Sequence, residues 1–210
     1  ETKFYLALCF YNLGDFAESL KFLFFFESAL LALNYAKTQK LKESAAVFKI
    51  LDESENLSEK DRLNYAKVLL FSARYKEAQI QAAKCNLIEG KYILALAQFN
   101  TRSWNFCEEN FLTFLKSPSI DKVSKSYAEF YLGYSKYRLG KFKESCEILS
   151  RFVSSYPEHE LIWNALMTYS NAAVQILKFD DASKYAEKAV KYAKNSSDRE
   201  EAVFLCQEIY

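Results

Sequence analysis

The sequence predicts an all-α fold, an α-solenoid of about six helix-turn-helix units followed by a capping helix, and three observations predict it. The first is a phrase that recurs six times: a short break, an aromatic residue or leucine, then a small residue three positions on. It reads Asp15-Phe16-Ala17-Glu18-Ser19, Lys40-Leu41-Lys42-Glu43-Ser44, Arg74-Tyr75-Lys76-Glu77-Ala78, Ser103-Trp104-Asn105-Phe106-Cys107, Lys141-Phe142-Lys143-Glu144-Ser145 and Lys178-Phe179-Asp180-Asp181-Ala182. The anchors Phe16, Leu41, Tyr75, Trp104, Phe142 and Phe179 lie 25, 34, 29, 38 and 37 residues apart. A period of about 34 with helical sequence on both sides marks a stacked helical repeat. The second observation is that 210 residues contain only four Gly and two Pro, too few for the turns of a hairpin-rich β fold. The third is that half the residues are apolar and 17% aromatic, ample material for a core and contrary to disorder. Roughly three-quarters of the chain is expected in helix, far above the ordinary proportion.

Setting each anchor at the same frame position divides a single domain, 1–210, into units of about 1–24, 25–58, 59–87, 88–121, 126–159 and 163–196, with a capping helix at 198–210. In the first unit Gly14 supplies the turn that a helix end prefers. The short step to Leu41 then shortens the helices on either side, and Phe22-Leu23-Phe24-Phe25-Phe26 falls at that squeezed corner. This run is too short to span a bilayer. It reads either as a buried corner or as an exposed patch, with Phe22, Phe24, Phe25 and Phe26 as interface residues of a homodimer. In every unit one small residue, Ala7, Ala32, Ala66, Ala95, Gly133 or Ser170, sits where two helices cross. Its partner on the second helix is Ser19, Ser44, Ala78, Cys107, Ser145 or Ala182, and the anchor plugs the crossing. Around Ser117-Pro118-Ser119 a longer loop is expected, and Asp180-Asp181 places favourable charge at a helix N-terminus. After the sixth unit Ser197-Asp198-Arg199-Glu200 reads as a capping box, and Val203, Phe204 and Cys206 are expected to cover the last repeat.

Little in the chain points to chemistry. The charge is +1, from 28 basic and 27 acidic residues interspersed without a basic stripe, which argues against nucleic acid as a partner. The five cysteines stand singly and read as free, buried thiols rather than a disulfide framework or nucleophiles. His159 is alone in a loop after Pro157, so a zinc site or a proton relay lacks its second imidazole, and a surface position is expected. The glycines Gly14, Gly90, Gly133 and Gly140 are too scattered for a phosphate-binding loop, and neighbouring carboxylates such as Glu108-Glu109 diverge on a helix. No cofactor, no metal and no catalysis are expected. The chain opens on Glu1, which reads as a cut from a longer protein and leaves any upstream signal unseen.

Leu132, Gly133, Gly140, Phe142, Ser145, Leu149, Phe152 and Pro157 together resemble the tetratricopeptide repeat pattern. In that family the first helix of each unit lines a concave groove in which ligands lie. The resemblance implies that Leu63, Tyr92, Phe99, Met167 and Asn171 face such a groove, with Tyr127, Phe130, Tyr134, Tyr137 and Arg138 on the fifth first helix. The last five recur at helical spacing as an aromatic ladder ending in a cation. Rings with a polar tip suit an interface, and packing against neighbouring repeats is the other reading. The implied function is a non-catalytic scaffold that binds a helix or an extended peptide of another protein and stabilises a complex. Phe4 and Leu8 stand where the family's carboxylate-clamp members carry Lys and Asn, which disfavours a cochaperone. Finally, Phe130-Tyr131-Leu132-Gly133, Gly140-Lys141-Phe142 and Arg151-Phe152-Val153-Ser154-Ser155-Tyr156-Pro157 are similar to repeats of bacterial cell-envelope proteins of the outer-membrane assembly and Tol-associated type. That likeness implies the periplasmic side of a bacterial envelope, whereas the unpaired cysteines point towards the cytoplasm.

Overall fold

The structure, a computed structural model, describes residues 2–16, 18–19, 29–55 and 57–209, with side chains from residue 5 onward. Phe22 to Phe26 lie outside the described residues. Twelve helices and no strands are found among the described residues. They group into two compact units, residues 1–101 and 102–210. The first holds α1 (Thr2–Asn12), α2 (Ala29–Lys37), α3 (Leu41–Glu53), α4 (Glu59–Phe71), α5 (Tyr75–Lys84) and α6 (Ile88–Asn100). The second holds α7 (Trp104–Leu115), α8 (Lys122–Arg138), α9 (Phe142–Ser155), α10 (Ile162–Gln175), α11 (Phe179–Tyr192) and α12 (Ser196–Ile209). From α2 to α6 in the first unit and from α7 to α12 in the second, consecutive helices pack on one another, as in a solenoid of helix pairs.

The recurring phrase has a local cause. Leu41, Tyr75, Trp104, Phe142 and Phe179 are each the first residue of a helix. Two residues before every anchor the backbone is left-handed: Gly14 has φ 81°, Gln39 62°, Ala73 57°, Arg102 59°, Gly140 73° and Leu177 59°. That residue closes the preceding helix, and the next one closes it again. Gly140 N–H donates to Tyr137 O at 3.0 Å and Lys141 N–H to Lys136 O at 2.9 Å; the same pair of bonds forms at Gly14 and Asp15, Gln39 and Lys40, Ala73 and Arg74, and Leu177 and Lys178. The carbonyl of the closing residue then accepts the first bond of the next helix, from Ser145 N–H to Lys141 O at 3.0 Å and likewise at Ser19, Ser44, Ala78, Cys107 and Ala182. One residue therefore ends one helix and begins the next, which forces a tight turn and fixes the offset between anchor and small residue.

The small residues are buried as expected. Ala7, Ala32, Ala66, Ala95, Ser170, Ser19, Ser44, Ala78, Cys107, Ser145 and Ala182 are fully buried. Four pairs also bond across the crossing: Ser19 Oγ donates to Ala7 O and Ser44 Oγ to Ala32 O at 2.7 Å, and Ser145 Oγ to Gly133 O and Ser170 Oγ to Ala182 O at 2.8 Å. A methyl group on Gly133 would lie 2.7 Å from Leu149 Cδ2, so the helices are closer there than a side chain permits. The anchors do not plug these crossings. They are partly exposed, and Phe179 is 47% exposed, because as first residues of their helices they cover an end rather than the middle.

Apolar burial carries each unit. Phe48 is fully buried in the first, and Phe111, Phe114 and Phe152 in the second, each contributing about 1.5–3 kcal/mol. Polar side chains close the remaining gaps. In the first unit Arg62 Nη1 donates to Asp52 Oδ1 at 2.7 Å and Gln81 Oε1 at 2.8 Å. Burial pushes the Asp52 carboxyl up, but the bonds from Arg62 and Gln81 outweigh it and hold it below its ordinary value. In the second, the buried Lys136 ammonium lies 2.5 Å from both Glu108 Oε1 and Glu144 Oε2, and Lys141 lies 2.8 Å from Glu108 Oε2.

Two further expectations are corrected. The last helix begins at Ser196, with Asn195 in place of Ser197 as its cap: Asp198 N–H donates to Asn195 Oδ1 at 2.8 Å and Asn195 Nδ2 returns a bond to Asp198 Oδ2 at 3.0 Å. Ala202 and Leu205, three apart on one face, cover the preceding repeat, which turns Val203 outward and leaves Phe204 58% exposed. The loop at 116–121 forms as expected and ends on Asp121, which accepts from Ser124 N–H at 2.9 Å. No helix among the described residues is long and apolar enough to cross a membrane.

Candidate functional site

The first helices α4, α6, α8 and α10 place equivalent residues alike. At the same repeat position, one turn into α4, α6 and α10 and two turns into α8, Leu63, Phe130 and Met167 are buried, at 6%, 4% and 6% exposure, while Tyr92 is partly exposed. This position points between helices, so Phe130 is a core residue packed on Phe152 with ring centroids 5.8 Å apart. A turn further on Lys67, Leu96, Tyr134 and Asn171 are half-buried, and at the helix end Phe71, Asn100, Arg138 and Gln175 are exposed. Phe99 is half-buried beside Asn100, and Asn171 Nδ2 donates to Met167 O at 3.0 Å along its own helix.

Helix α8 gathers the aromatic residues. Tyr127, Tyr131, Tyr134 and Tyr137 are each half-buried, neither sealed in the core nor free in solvent. Their rings are held by neighbours: Tyr127 stacks on Tyr131 at 6.5 Å, Tyr131 on Phe111 at 6.1 Å, and Tyr134 meets Tyr137 edge-on at 6.3 Å and Trp104 at 6.0 Å. The Arg138 guanidinium lies 5.0 Å over the Trp104 ring and its Nη1 reaches Tyr134 Oη at 3.4 Å. Arg138 pairs with no carboxylate among the described residues, so an exposed charge is fixed in direction by two rings.

At the other end Tyr127 Oη donates to Glu160 Oε1 at 2.6 Å, and that bond, with burial, pushes the phenol up to about 12. Each ring thus packs on one side and is exposed on the other. The contribution of Trp104 was hidden in the sequence because it belongs to the preceding helix, and its only signal was a second role for the anchor. His159 departs from the surface position expected. It is half-buried against Tyr127 at 4.7 Å and Phe152 at 5.1 Å, and its Nδ1 accepts from Leu161 N–H at 3.1 Å. Burial holds its imidazole below its ordinary value, and it seals the loop after Pro157.

The thiols are not alike. Cys107 and Cys146 are buried, and desolvation pushes them up to about 12 and about 11, which leaves them inert thiols. Cys85 is buried, Cys206 is partly so, and Cys9 is exposed, contrary to the expectation that all five are buried. No group of three or more His, Cys, Asp or Glu that could hold a metal ion occurs among the described residues.

Residues 127–159 match the family model of the tetratricopeptide repeat, the stretch that carries α8, its turn and α9. No curated protein matches the chain. Among solved structures, the chain is similar to YrrB, described as a TPR protein with an unusual peptide-binding site, at 14% identity over 89% of this chain and 96% of that one, with a TM-score of 0.70. It is likewise similar to a tetratricopeptide repeat protein from Parabacteroides merdae, at 15% identity over 99% and 84% with a TM-score of 0.67. MamA from Desulfovibrio magneticus is similar at 12% identity over 77% and 90%, with a TM-score of 0.66. At these identities the likeness is one of fold: an all-helical arrangement of tetratricopeptide-like helix pairs.

Proposed function

We propose that this protein is a non-catalytic interaction scaffold that binds a helix or an extended segment of another protein against the outward face of α8. The observation that carries the reading is the half-buried aromatic row of α8, pre-ordered by Trp104 and Phe111 and ended by the directed charge of Arg138. Rings already fixed by packing lose little entropy when a partner covers them, and aromatic and arginine side chains are what interface hot spots are made of. The peptide-binding site ascribed to YrrB agrees with such a role for the fold.

Alanine at Tyr134 and Tyr137 should abolish capture of the partner in a pull-down while the circular dichroism spectrum stays helical. Arg138→Glu, at an exposed position, should weaken capture without loss of stability. Unchanged capture by all three variants refutes the reading. The likeness of residues 126–190 to envelope repeats supports a periplasmic location in a bacterial envelope, which fractionation against a periplasmic marker tests.

A further inference from the structure

Away from the aromatic row, the second unit carries a cleft of about 660 Å³ lined by residues of α7, α8 and α9. Its apolar lining is Leu112, Leu115, Leu132 and Ile148, and two cations, Lys125 and Arg151, also line it. Neither cation pairs with a carboxylate among the described residues, and Arg151 only bonds back to the Glu147 carbonyl. The one acid in the lining, Glu129, is engaged by Tyr156.

Comparison with equivalent positions shows why the cleft is open. The counterpart of Glu129 in α10 is Leu166, which is fully buried. The counterpart in α4 is Arg62, tied to Asp52 and Gln81, and the corresponding cleft of α3, α4 and α5 is only about 170 Å³. Of these three positions only the α8 one bears an acid, bonded to Tyr156, and leucine and isoleucine side chains line the cleft beside two uncommitted positive charges.

We propose that this cleft is a second docking site, independent of the α8 aromatic row, for a protein segment that presents leucine-type side chains next to Asp or Glu. The apolar side chain covers Leu112 and Ile148, and the carboxylate meets Arg151 and Lys125. The cleft's volume suits one or two side chains of such a segment, and the charge asymmetry selects the acidic one.

The test uses the full chain with two probes, acetyl-Leu-Asp-Leu-Leu-amide and its Asn counterpart, followed by ¹H–¹⁵N spectra. The acidic peptide should shift Leu112, Ile148 and Arg151 and bind several-fold more tightly than the Asn form, as expected for one or two exposed ion pairs. Arg151→Gln with Lys125→Gln, both at exposed positions, should erase that preference, and Tyr134→Ala should leave it intact. Equal binding of the two peptides overturns the proposal, as do shifts confined to the aromatic row. Tighter binding of decanoate than of the acidic peptide assigns the cleft to a small amphiphile and overturns it too.

Discussion

Four of the six turns hold a side chain where glycine belongs, and replacing it should stabilise the protein. Gln39, Ala73, Arg102 and Leu177 have φ of 62°, 57°, 59° and 59°, the conformation in which Gly14 and Gly140 sit without strain. A side chain in that region costs about 1–2 kcal/mol. Glycine returns part of this through the greater freedom of its unfolded chain, about 0.4–1 kcal/mol. The net gain is about 0.5–1 kcal/mol per site. Leu177 is the cleanest case, because at 75% exposure its side chain has little packing to lose. Leu177→Gly should raise Tm by roughly 2–4 °C per kcal/mol in a chain of this length, and the four changes together should add, since their turns are far apart in sequence. Gly140→Ala runs the other way. A methyl group there meets nothing within 4 Å, so the loss, about 0.5–1 kcal/mol, is backbone strain less the entropy that alanine removes from the unfolded chain. Thermal and urea unfolding followed by circular dichroism at 222 nm measures both. A Leu177→Gly variant less stable than the parent, or a Gly140→Ala variant of unchanged stability, refutes the account of the turns.

Other consequences are read more briefly. Gly133→Ala forces a methyl group to 2.7 Å from the fully buried Leu149, so it should destabilise the second unit by about 1–3 kcal/mol, and the double variant with Leu149→Ala should lose less than the sum of the two single losses. The Asp52 and Glu108 carboxyls are held below their ordinary values by Arg62 with Gln81 and by Lys136 with Lys141, each against an opposing effect of burial. Their contribution is therefore full above the ordinary values of 3.8 and 4.5 and is lost as pH falls through the lowered folded values. Urea midpoints should drop steeply below about pH 4.5, and Glu108→Gln should flatten that slope; an unchanged slope counts against the buried network. Of the five thiols, Cys9 should react with Ellman's reagent within minutes in the folded protein, whereas Cys107 and Cys146 should wait for unfolding.

The legible part of this fold was the part written locally. The two small residues of a unit stand twelve apart in sequence and, at four crossings, bond across a single turn, so sterics at one point dictates both. The left-handed position two before each anchor was harder to read, since glycine marks it only at Gly14 and Gly140 and elsewhere it falls on Gln39, Ala73, Arg102 and Leu177, of which Gln39, Ala73 and Leu177 are held in place by the closing hydrogen bonds. The site was legible as a helix and a spacing but not as a surface. Phe130 and Tyr134 are one turn apart and look alike in sequence, yet the tilt of α8 buries the first against Phe152 and leaves the second half-exposed. Trp104, Phe111 and Glu160, which order the rings, come from other elements and are visible only in three dimensions. The outward turn of Val203 and Phe204 is a register matter: Ala202 and Leu205 already fill the contact.

The central claim, that a partner segment lies on the outward face of α8, is tested most directly by photo-crosslinking. The variant Tyr134→p-benzoylphenylalanine, irradiated in cells, should trap one dominant partner band, and Lys184→p-benzoylphenylalanine, an exposed control on α11, should not. Equal bands from both positions, or no band from position 134 while the protein is folded, contradict the account.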